Sequence, residues 1–324
     1  MSIFEPLKDG SEIRVIAPSL SKRAKKSRNY ERAEARLTSL GYTVSFGNHV
    51  DSLLHFGTAK AEDRASDFND AYADKNVKAI CAINGGWSAN EILPFIDWEL
   101  VKRNTKPLIG FSDITVLLNA IYAKTGNVGL LGPNFGTIGY MQSWHYTLQN
   151  LNKVLRQELP MELTRSQQWG GKKSGSFKTR AWKIISEGVA EGILFGGNLG
   201  TFYLLQGTEY QPNFNKPFIF ALEDDDEAGN CTTREVSRRL ESLLQLPGFR
   251  ENLRGIIIGR FQPDSKVTGP GLLSILQAKQ LVGEVPILSN VDFGHTLPMV
   301  SLPIGGRVRL ETQNGNRAIR LLAN

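Results

Sequence analysis

The chain has 324 residues, of which 41% are hydrophobic and 22% are charged. This composition is typical of a globular protein with a sizeable core; it excludes disorder, collagen and coiled coil as descriptions of the whole, and the length predicts two domains. A formal net charge of +6 is mild for this length and could assist binding of an anionic ligand. A mildly basic pocket could hold an acidic side chain, a free carboxylate or a phosphate-like group.

The chain shows none of the usual signals for membrane insertion or export. No stretch approaches the ~18 uninterrupted apolar residues of a membrane span, and the N-terminus lacks the order of a signal peptide. We therefore expect a cytoplasmic protein without a membrane partner. Cys81 and Cys231 have neither CxxC nor Cys/His spacing, so no structural zinc site is expected. The basic runs at 21–28 and 170–180 lack interleaved aromatic residues, so no nucleic-acid partner is expected either.

The first half of the chain alternates short apolar runs with segments of helical period. This pattern predicts a mostly parallel sheet covered by helices, in an N-terminal α/β domain over residues 1–140. Ser88 followed by Glu91 forms a capping box, which predicts the start of one helix over SANEILPFIDWELVKRN. Gly126 predicts the end of the next helix. The predicted strands are SEIRVIAPS, YTVSFG, VKAICAING, KPLIGF and GLLGP.

Residues 141–185 break this alternation. A helical segment, MQSWHYTLQNLNKVLRQ, is followed by a long, polar, Gly-rich stretch, and loops of this length are typically functional or flexible. The alternation then resumes and predicts a second α/β domain over residues 186–324. Asn314-Gly315, between two alternating runs, predicts a two-residue hairpin turn. The fold class expected is therefore α/β with two domains.

Two candidate site motifs follow predicted strands of the first domain. Gly85-Gly86 precedes a predicted helix, where free N–H groups favour an anion or an oxyanion, although an ordinary tight turn needs the same glycines. Ser112, in GFSD, lies on a sharp turn between strand and helix, the position that a nucleophile requires. The motif is only half of a GxSxG elbow because Ile114 replaces the second glycine. A helix N-cap is the alternative interpretation of Ser112.

Two further candidates lie in the second domain. Glu223 ends an apolar strand, where it could orient a histidine. The following Asp224–Glu227 are expected to face solvent, although four carboxylates could also suggest a cation site. His295 lies in the loop GHTLP before the terminal β region, although a lone histidine is more often a satisfied polar residue. In chain order Ser112, Glu223 and His295 supply a nucleophile, an orienting carboxylate and a base. Their spacing alone does not show that they meet.

Five motifs in this order resemble the LD-carboxypeptidase family of serine peptidases, family S66. They are GGWSANEILPFID, GFSDITVLLNAIY, GGNLGTFYLLQGTEYQP, FALEDDDEA and GHTLPMVSLPIG. The resemblance implies an N-terminal parallel sheet of class I glutamine-amidotransferase type and a C-terminal swivelling β/α domain, with the site between them. It also implies a homodimer, no metal and no other cofactor.

The resemblance assigns roles to single positions. It makes Ser112 the nucleophile, His295 its general base and Glu223 the residue that orients the histidine. The backbone N–H groups of Gly86 and Asp113 would form the oxyanion hole. One departure is that the turn reads Gly-Phe-Ser-Asp where Gly-Tyr-Ser-Asp is common, an exchange of one aromatic residue for another.

The family holds two activities. One branch trims the terminal D-alanine from murein tetrapeptides during cell-wall recycling. The other resembles the microcin C immunity peptidase, which cuts the amide between an acidic amino acid and a non-hydrolysable adenylate. The long loop favours this second branch because its Trp182 could stack on a base, a contact worth ~1–3 kcal/mol. Phe177 and Trp87 are further candidate substrate contacts. Packing of Trp182 against the domain interface is the alternative interpretation.

Two readings from other classes stay open. A non-catalytic two-domain binding protein would share the α/β alternation and an interdomain cleft, and it would not need Ser112. A glutamine-amidotransferase-like enzyme would need a cysteine at the turn where Ser112 stands. A reagent that reacts with active serines distinguishes an enzyme from a binding protein, because reaction at Ser112 excludes a protein that only binds.

Overall fold

The computed structural model describes residues 3–25, 27–170 and 181–323. Within these ranges the chain forms fourteen strands and ten α-helices. The strands are β1 (Glu12–Ile16), β2 (Thr43–Phe46), β3 (Val77–Ala82), β4 (Leu108–Gly110), β5 (Gly129–Leu131), β6 (Met161–Glu162), β7 (Lys183–Ser186), β8 (Val189–Asn198), β9 (Phe218–Glu223), β10 (Leu253–Gly259), β11 (Ile287–Val291), β12 (Leu302–Ile304), β13 (Arg307–Glu311) and β14 (Ala318–Leu321). The helices are α1 (Asn29–Ser39), α2 (Ala61–Ala73), α3 (Trp98–Arg103), α4 (Thr115–Thr125), α5 (Phe135–Ile138), α6 (Trp144–Leu155), α7 (Leu199–Tyr203), α8 (Thr232–Leu244), α9 (Phe249–Asn252) and α10 (Gly269–Ala278). None of the helices in these ranges is long and apolar enough to cross a membrane.

The first sheet has six strands in the order β12-β5-β4-β3-β1-β2. Strands β1 to β5 run parallel, and β12 joins antiparallel to β5. Parallel strands need apolar side chains on both faces, and β3 meets this need because five of its six residues are buried. Since β3 and β4 are parallel neighbours, the segments that follow them emerge at the same edge of the sheet.

The predicted alternation of the first half is confirmed, with one correction. The sequence predicts one helix from Ser88, but a short 3-10 segment over Ala89–Phe95 precedes the separate helix α3. Pro94 explains the break because it has no N–H to donate to a continuing helix. Ser88 makes no side-chain cap hydrogen bond. Asp97 caps α3 instead, accepting from the N–H of Leu100 at 2.9 Å.

The second sheet has eight strands in the order β6-β14-β13-β8-β9-β10-β11-β7. Its centre, β8 to β11, is parallel, and antiparallel strands flank it on both sides. The turn predicted at Asn314-Gly315 joins β13 to β14, and both residues have positive φ, 53° and 76°. The strands are paired only as far as Glu311 and Ala318, so the connection is longer than the two residues predicted. The two-domain α/β fold class is confirmed.

The chain does not divide as cleanly as the predicted segments 1–140, 141–185 and 186–324. Helix α6 packs into the apolar core of the first sheet through its buried leucines and Val154. Strands β6 and β7 belong to the second sheet, and β12 returns from the second half to complete the first. The predicted linker is therefore shared between the domains, because its apolar side chains find partners in both.

Candidate active site

Ser112 lies on a strained turn between β4 and α4. Its φ is +63°, a left-handed conformation that costs a non-glycine residue about 1–3 kcal/mol. Gly85 follows the neighbouring strand and lies close to Ser112. A Cβ atom on Gly85 would be 2.9 Å from the Ser112 Cβ and 3.1 Å from its Oγ. A larger residue at position 85 would therefore displace the serine, which gives the Gly85 position a physical requirement for glycine.

A chain of hydrogen bonds joins the serine to a histidine and a glutamate. The Ser112 Oγ lies 2.9 Å from the His295 Nε2, and the His295 Nδ1 lies 2.8 Å from the Glu223 Oε2. The same Glu223 oxygen accepts from the backbone N–H of His295 at 3.2 Å. Because a carboxylate accepts and cannot donate, Nδ1 carries the proton and Nε2 presents its lone pair to the serine. The structure thus brings the three predicted residues together.

The second sheet holds the glutamate and the histidine rigidly. Glu223 is the last residue of β9 and is 1% exposed, while His295 lies in the loop after β11. A Cβ atom on Gly294, whose φ is +95°, would be 2.5 Å from the Glu223 Cγ. The ring of Phe111 packs edge-on against the His295 ring at 5.2 Å. Close packing on several sides leaves the imidazole little freedom to turn away from Ser112.

The side chain of Asp113 ties together the two segments to which the resemblance assigns the oxyanion hole. Its carboxylate accepts from the Ser19 Oγ at 2.6 Å and from the N–H of Ala89 at 2.8 Å. Burial raises the pKa of Asp113, and these hydrogen bonds act against that rise. Gly86 has a φ of +154°, and a Cβ atom there would collide with Ser19. The turn that begins at Ser112 is thereby anchored to the loop after β3.

A cleft of about 380 Å³ opens beside Ser112 and is lined by both domains. Among the described residues that line it, all the carboxylate and ammonium or guanidinium groups are carboxylates, so this part of the lining is acidic and not mildly basic. The expectation that residues 224–227 face solvent is wrong for Asp224, which is buried, whereas the other three are at least partly exposed and line the cleft. The lining residues are Leu20, Asn84, Gly85, Gly86, Trp87, Phe111, Ser112, Asn134, Thr137, Tyr140, Asp225, Asp226, Glu227, Gln262, Pro263, Asp264 and His295.

Asp224 lies behind the cleft beside Glu223. It is 3% exposed, and its carboxylate pairs with the guanidinium of Arg239 at 2.8 Å. Burial and the neighbouring Glu223 charge raise the pKa of Asp224 to about 7, while Arg239 acts against the rise. This carboxylate therefore changes its charge near neutral pH, next to the residue that orients His295.

The aromatic residues predicted to contact substrate have different positions. Trp87 lines the cleft and is 55% exposed. Trp182 does not line it: its ring is 2% exposed, and its Nε1 donates to the Asp292 carboxylate at 2.9 Å. This arrangement agrees with the alternative interpretation, in which the indole packs inside the protein. Phe177 lies outside the described residues.

Several residues of the site were not found from the sequence. Ser19 and the Asp113 carboxylate hold the serine turn, and the Asn134 side chain accepts from the N–H of Phe111 at 3.1 Å. Asp264 enters the cleft from the turn after β10. All of them follow carboxyl ends of parallel strands, the edge at which open α/β sheets bind ligands. That shared position is the signal that could have identified them.

Comparison with known proteins agrees with this geometry. The LD-carboxypeptidase N-terminal domain family matches residues 13–132, and the LD-carboxypeptidase C-terminal domain family matches residues 191–310. A protein of Treponema pallidum, itself assigned only provisionally as a carboxypeptidase, is 39% identical over 94% of this chain and 90% of its own. The microcin C7 self-immunity protein MccF of Escherichia coli is 26% identical over 97% and 94% of the two chains. A murein tetrapeptide carboxypeptidase of Pseudomonas aeruginosa is 28% identical over 88% and 89%.

Solved structures show the same relationship. An MccF-like protein from Bacillus anthracis superposes with a TM-score of 0.95 at 36% identity and covers 99% of both chains. MccF in complex with aspartyl sulfamoyl adenosine superposes with a TM-score of 0.86 at 25% identity and covers 99% of this chain and 98% of its own. The likeness extends over both domains. This chain therefore belongs to the LD-carboxypeptidase family, Peptidase S66.

Proposed function

We propose that this protein is a serine peptidase that hydrolyses an amide bond through an acyl-enzyme. The observation that carries the proposal is the continuous set of hydrogen bonds from Ser112 through His295 to Glu223. A serine becomes a nucleophile when a neighbouring base takes its proton, and the base needs a third group that fixes its tautomer. Both conditions are met by side chains held at 2.9 and 2.8 Å.

The reaction proceeds in two halves. Ser112 attacks the scissile carbonyl while the His295 Nε2 takes the hydroxyl proton, and the oxyanion accepts hydrogen bonds from the N–H groups of Gly86 and Asp113. The imidazolium then gives its proton to the leaving nitrogen, which departs as an amine or amide and leaves an ester on Ser112. In the second half water attacks the ester with His295 again as base, and the serine is regenerated.

The proposed substrate is an aminoacyl-nucleotide in which an amide-type bond joins an amino acid to a non-hydrolysable adenylate. The support comes from MccF, a relative whose structure contains aspartyl sulfamoyl adenosine, and from the cleft itself. A volume of about 380 Å³ is in the range of small-ligand sites. The exposed indole of Trp87 on the cleft wall offers a face on which a base can stack. Murein tetrapeptides, with release of D-alanine, are the alternative substrate.

One competition experiment tests the proposal. Purified protein is incubated with a murein tetrapeptide and with sulfamoyl-adenosines that carry acidic, neutral and basic aminoacyl groups, and the products are identified by mass spectrometry. Release of sulfamoyl-adenosine supports the proposal, whereas release of D-alanine alone supports the murein alternative. Ser112→Ala should abolish either reaction. Ser274→Ala, an exposed serine on α10, is the matched control and should retain it. No turnover of any compound contradicts the proposal.

The oligomeric state rests on the family resemblance, and the location rests on the sequence expectation given above. We propose a homodimer, which light scattering of the purified protein tests directly. We also propose a cytoplasmic location, and fractionation of the source cells followed by detection of the chain tests it. The hydrogen bonds from Ser112 through His295 to Glu223 and the cleft beside them do not depend on the result of either experiment.

A further inference from the structure

Four carboxylates line the cleft, and they come from two neighbouring segments. Asp225, Asp226 and Glu227 belong to the loop after β9, and Asp264 belongs to the turn after β10. Strands β9 and β10 are adjacent and parallel, so the two segments emerge side by side at one edge of the second sheet. Among the described residues that line the cleft, none is a Lys or an Arg.

The charge around these four carboxylates, within the part of the chain that the structure describes, is uncompensated. Among the residues that the structure describes, none of the four forms a salt bridge, whereas the adjacent Asp224 pairs with Arg239 at 2.8 Å. The chain as a whole carries a net charge of +6. The acidic character of the cleft lining that the structure describes is therefore a local arrangement and does not reflect the overall composition.

The spacing of the carboxylates does not suit a metal ion. In the described part of the chain, no three His, Cys, Asp or Glu side chains are close enough together to hold one. The side chain of Glu227 is close enough to its neighbours for their charges to act on it. Burial and the charges of Asp225 and Asp226 raise the pKa of Glu227, and His295 acts against the rise. A dispersed set of mutually repelling carboxylates is best relieved by an organic cation that reaches several of them.

From the structure we infer that the amino-acid part of the substrate carries a positively charged side chain, a primary amine or a guanidinium, held by the carboxylates of Asp226, Glu227 and Asp264. The inference rests on the proposed function and reverses the charge that the sequence analysis expects for the amino acid. Charged hydrogen bonds to several carboxylates would orient such a side chain. An aspartyl or glutamyl side chain in the same place would be repelled by these carboxylates. Like-charge repulsion of this kind is how binding surfaces discriminate against wrong ligands.

The test compares three substrates that differ only in the side chain: lysyl-, norleucyl- and glutamyl-sulfamoyl-adenosine. All three carry the same α-amino group, so its contribution cancels. We expect kcat/KM for the lysyl compound to exceed that for the norleucyl compound at least tenfold, with the glutamyl compound lowest. Glu227→Gln and Asp264→Asn should each reduce the lysyl-to-norleucyl ratio threefold or more. Glu251→Gln changes net charge equally on an exposed part of α9 and should leave the ratio unchanged.

Binding separates this inference from the proposed function. The affinity of the Ser112→Ala variant for each of the three compounds is measured by calorimetry, which requires no turnover. Tighter binding of the lysyl compound supports the inference even if wild-type protein hydrolyses none of them, an outcome that contradicts only the proposed reaction. Equal binding of the lysyl and norleucyl compounds, tighter binding of the glutamyl compound, or no binding of the lysyl compound overturns the inference.

Discussion

Replacement of Glu223 by glutamine isolates the charge of the group that holds the base. One Glu223 oxygen accepts two N–H groups of His295, from the ring Nδ1 at 2.8 Å and from the backbone at 3.2 Å. A glutamine retains one oxygen that can occupy the same position and accept both. Two donors aimed at one point favour that orientation of the amide. Glu223→Gln should therefore preserve the tautomer of His295 and remove the negative charge.

The size of the effect follows from the distance. In the transition state the imidazolium charge lies roughly 4 Å from the carboxylate charge, an interaction of about 4 kcal/mol at an effective dielectric of 20. Since 1.36 kcal/mol corresponds to a tenfold change in rate, kcat should fall about 10³-fold. If the amide nitrogen took the oxygen's place, the tautomer would be wrong and the loss would approach ~10⁴-fold.

The assay is single-turnover hydrolysis at saturating substrate, with the aminoacyl-sulfamoyl-adenosine that wild-type protein cleaves. Thermal unfolding confirms that the variant is folded, and Glu251→Gln on the exposed face of α9 controls for a Glu-to-Gln exchange elsewhere. A folded Glu223→Gln protein that loses less than tenfold in kcat would refute the reasoning. A change confined to KM would refute it equally, because the charge acts on the imidazolium and that ion forms only after substrate has bound.

Three further predictions concern residues around the same centre. Ser112→Ala and His295→Ala should each reduce kcat by ~10⁴-fold or more, and the double variant should lose little beyond either single one, since the two act as a unit; additive losses in the same assay would contradict this. Gly294→Ala places a Cβ atom 2.5 Å from the Glu223 Cγ at a φ of +95°. The free energy of unfolding measured with urea should therefore fall by roughly 2 kcal/mol or more, and activity should fall with it. If the variant had the stability and the activity of the wild type, the packing around Gly294 would not be restrictive. The pKa of Asp224 is raised to about 7 in the folded protein, so its contribution to stability is present below its unfolded pKa near 4 and is lost as the pH rises through 7. Asp224→Asn removes that loss, and the stability of the variant relative to wild type should improve between pH 4 and pH 8, by on the order of 3 kcal/mol, in chemical denaturation at the two pH values; a constant difference would contradict the shift.

Much of this site was predictable because its parts follow local rules. A serine directly after a buried strand and before a helix has few places to point, and the same holds for Glu223 at the end of β9. Gly126 ends α4 in the left-handed conformation that the pattern predicts, with φ at 77°. In each case the decisive information lies within a few residues of the position, where strand, turn and helix preferences all agree.

The parts that could not be predicted depend on partners distant in the chain. Whether Trp182 stacks on a ligand or packs inside depends on Asp292, more than a hundred residues later. The acidic residues Asp225, Asp226 and Glu227 line the cleft because the loop after β9 lies beside the other domain. The local sequence indicates only an acidic turn and not what lies opposite it. Net charge is a poor guide to a cleft for a related reason, because it sums over the whole surface, whereas a cleft samples only the side chains that line it.

The return of β12 to the first sheet has a consequence for how the two domains can be separated. The chain leaves β11 in the second sheet, passes His295, and within a few residues pairs with β5 beside the strand that leads to Ser112. A fragment that ends before residue 186 would lack this edge strand and would leave β5 open to pair with other chains. The two halves are thus not interchangeable modules, and a chimera that exchanges the second domain must carry its own β12 to restore the border of the first.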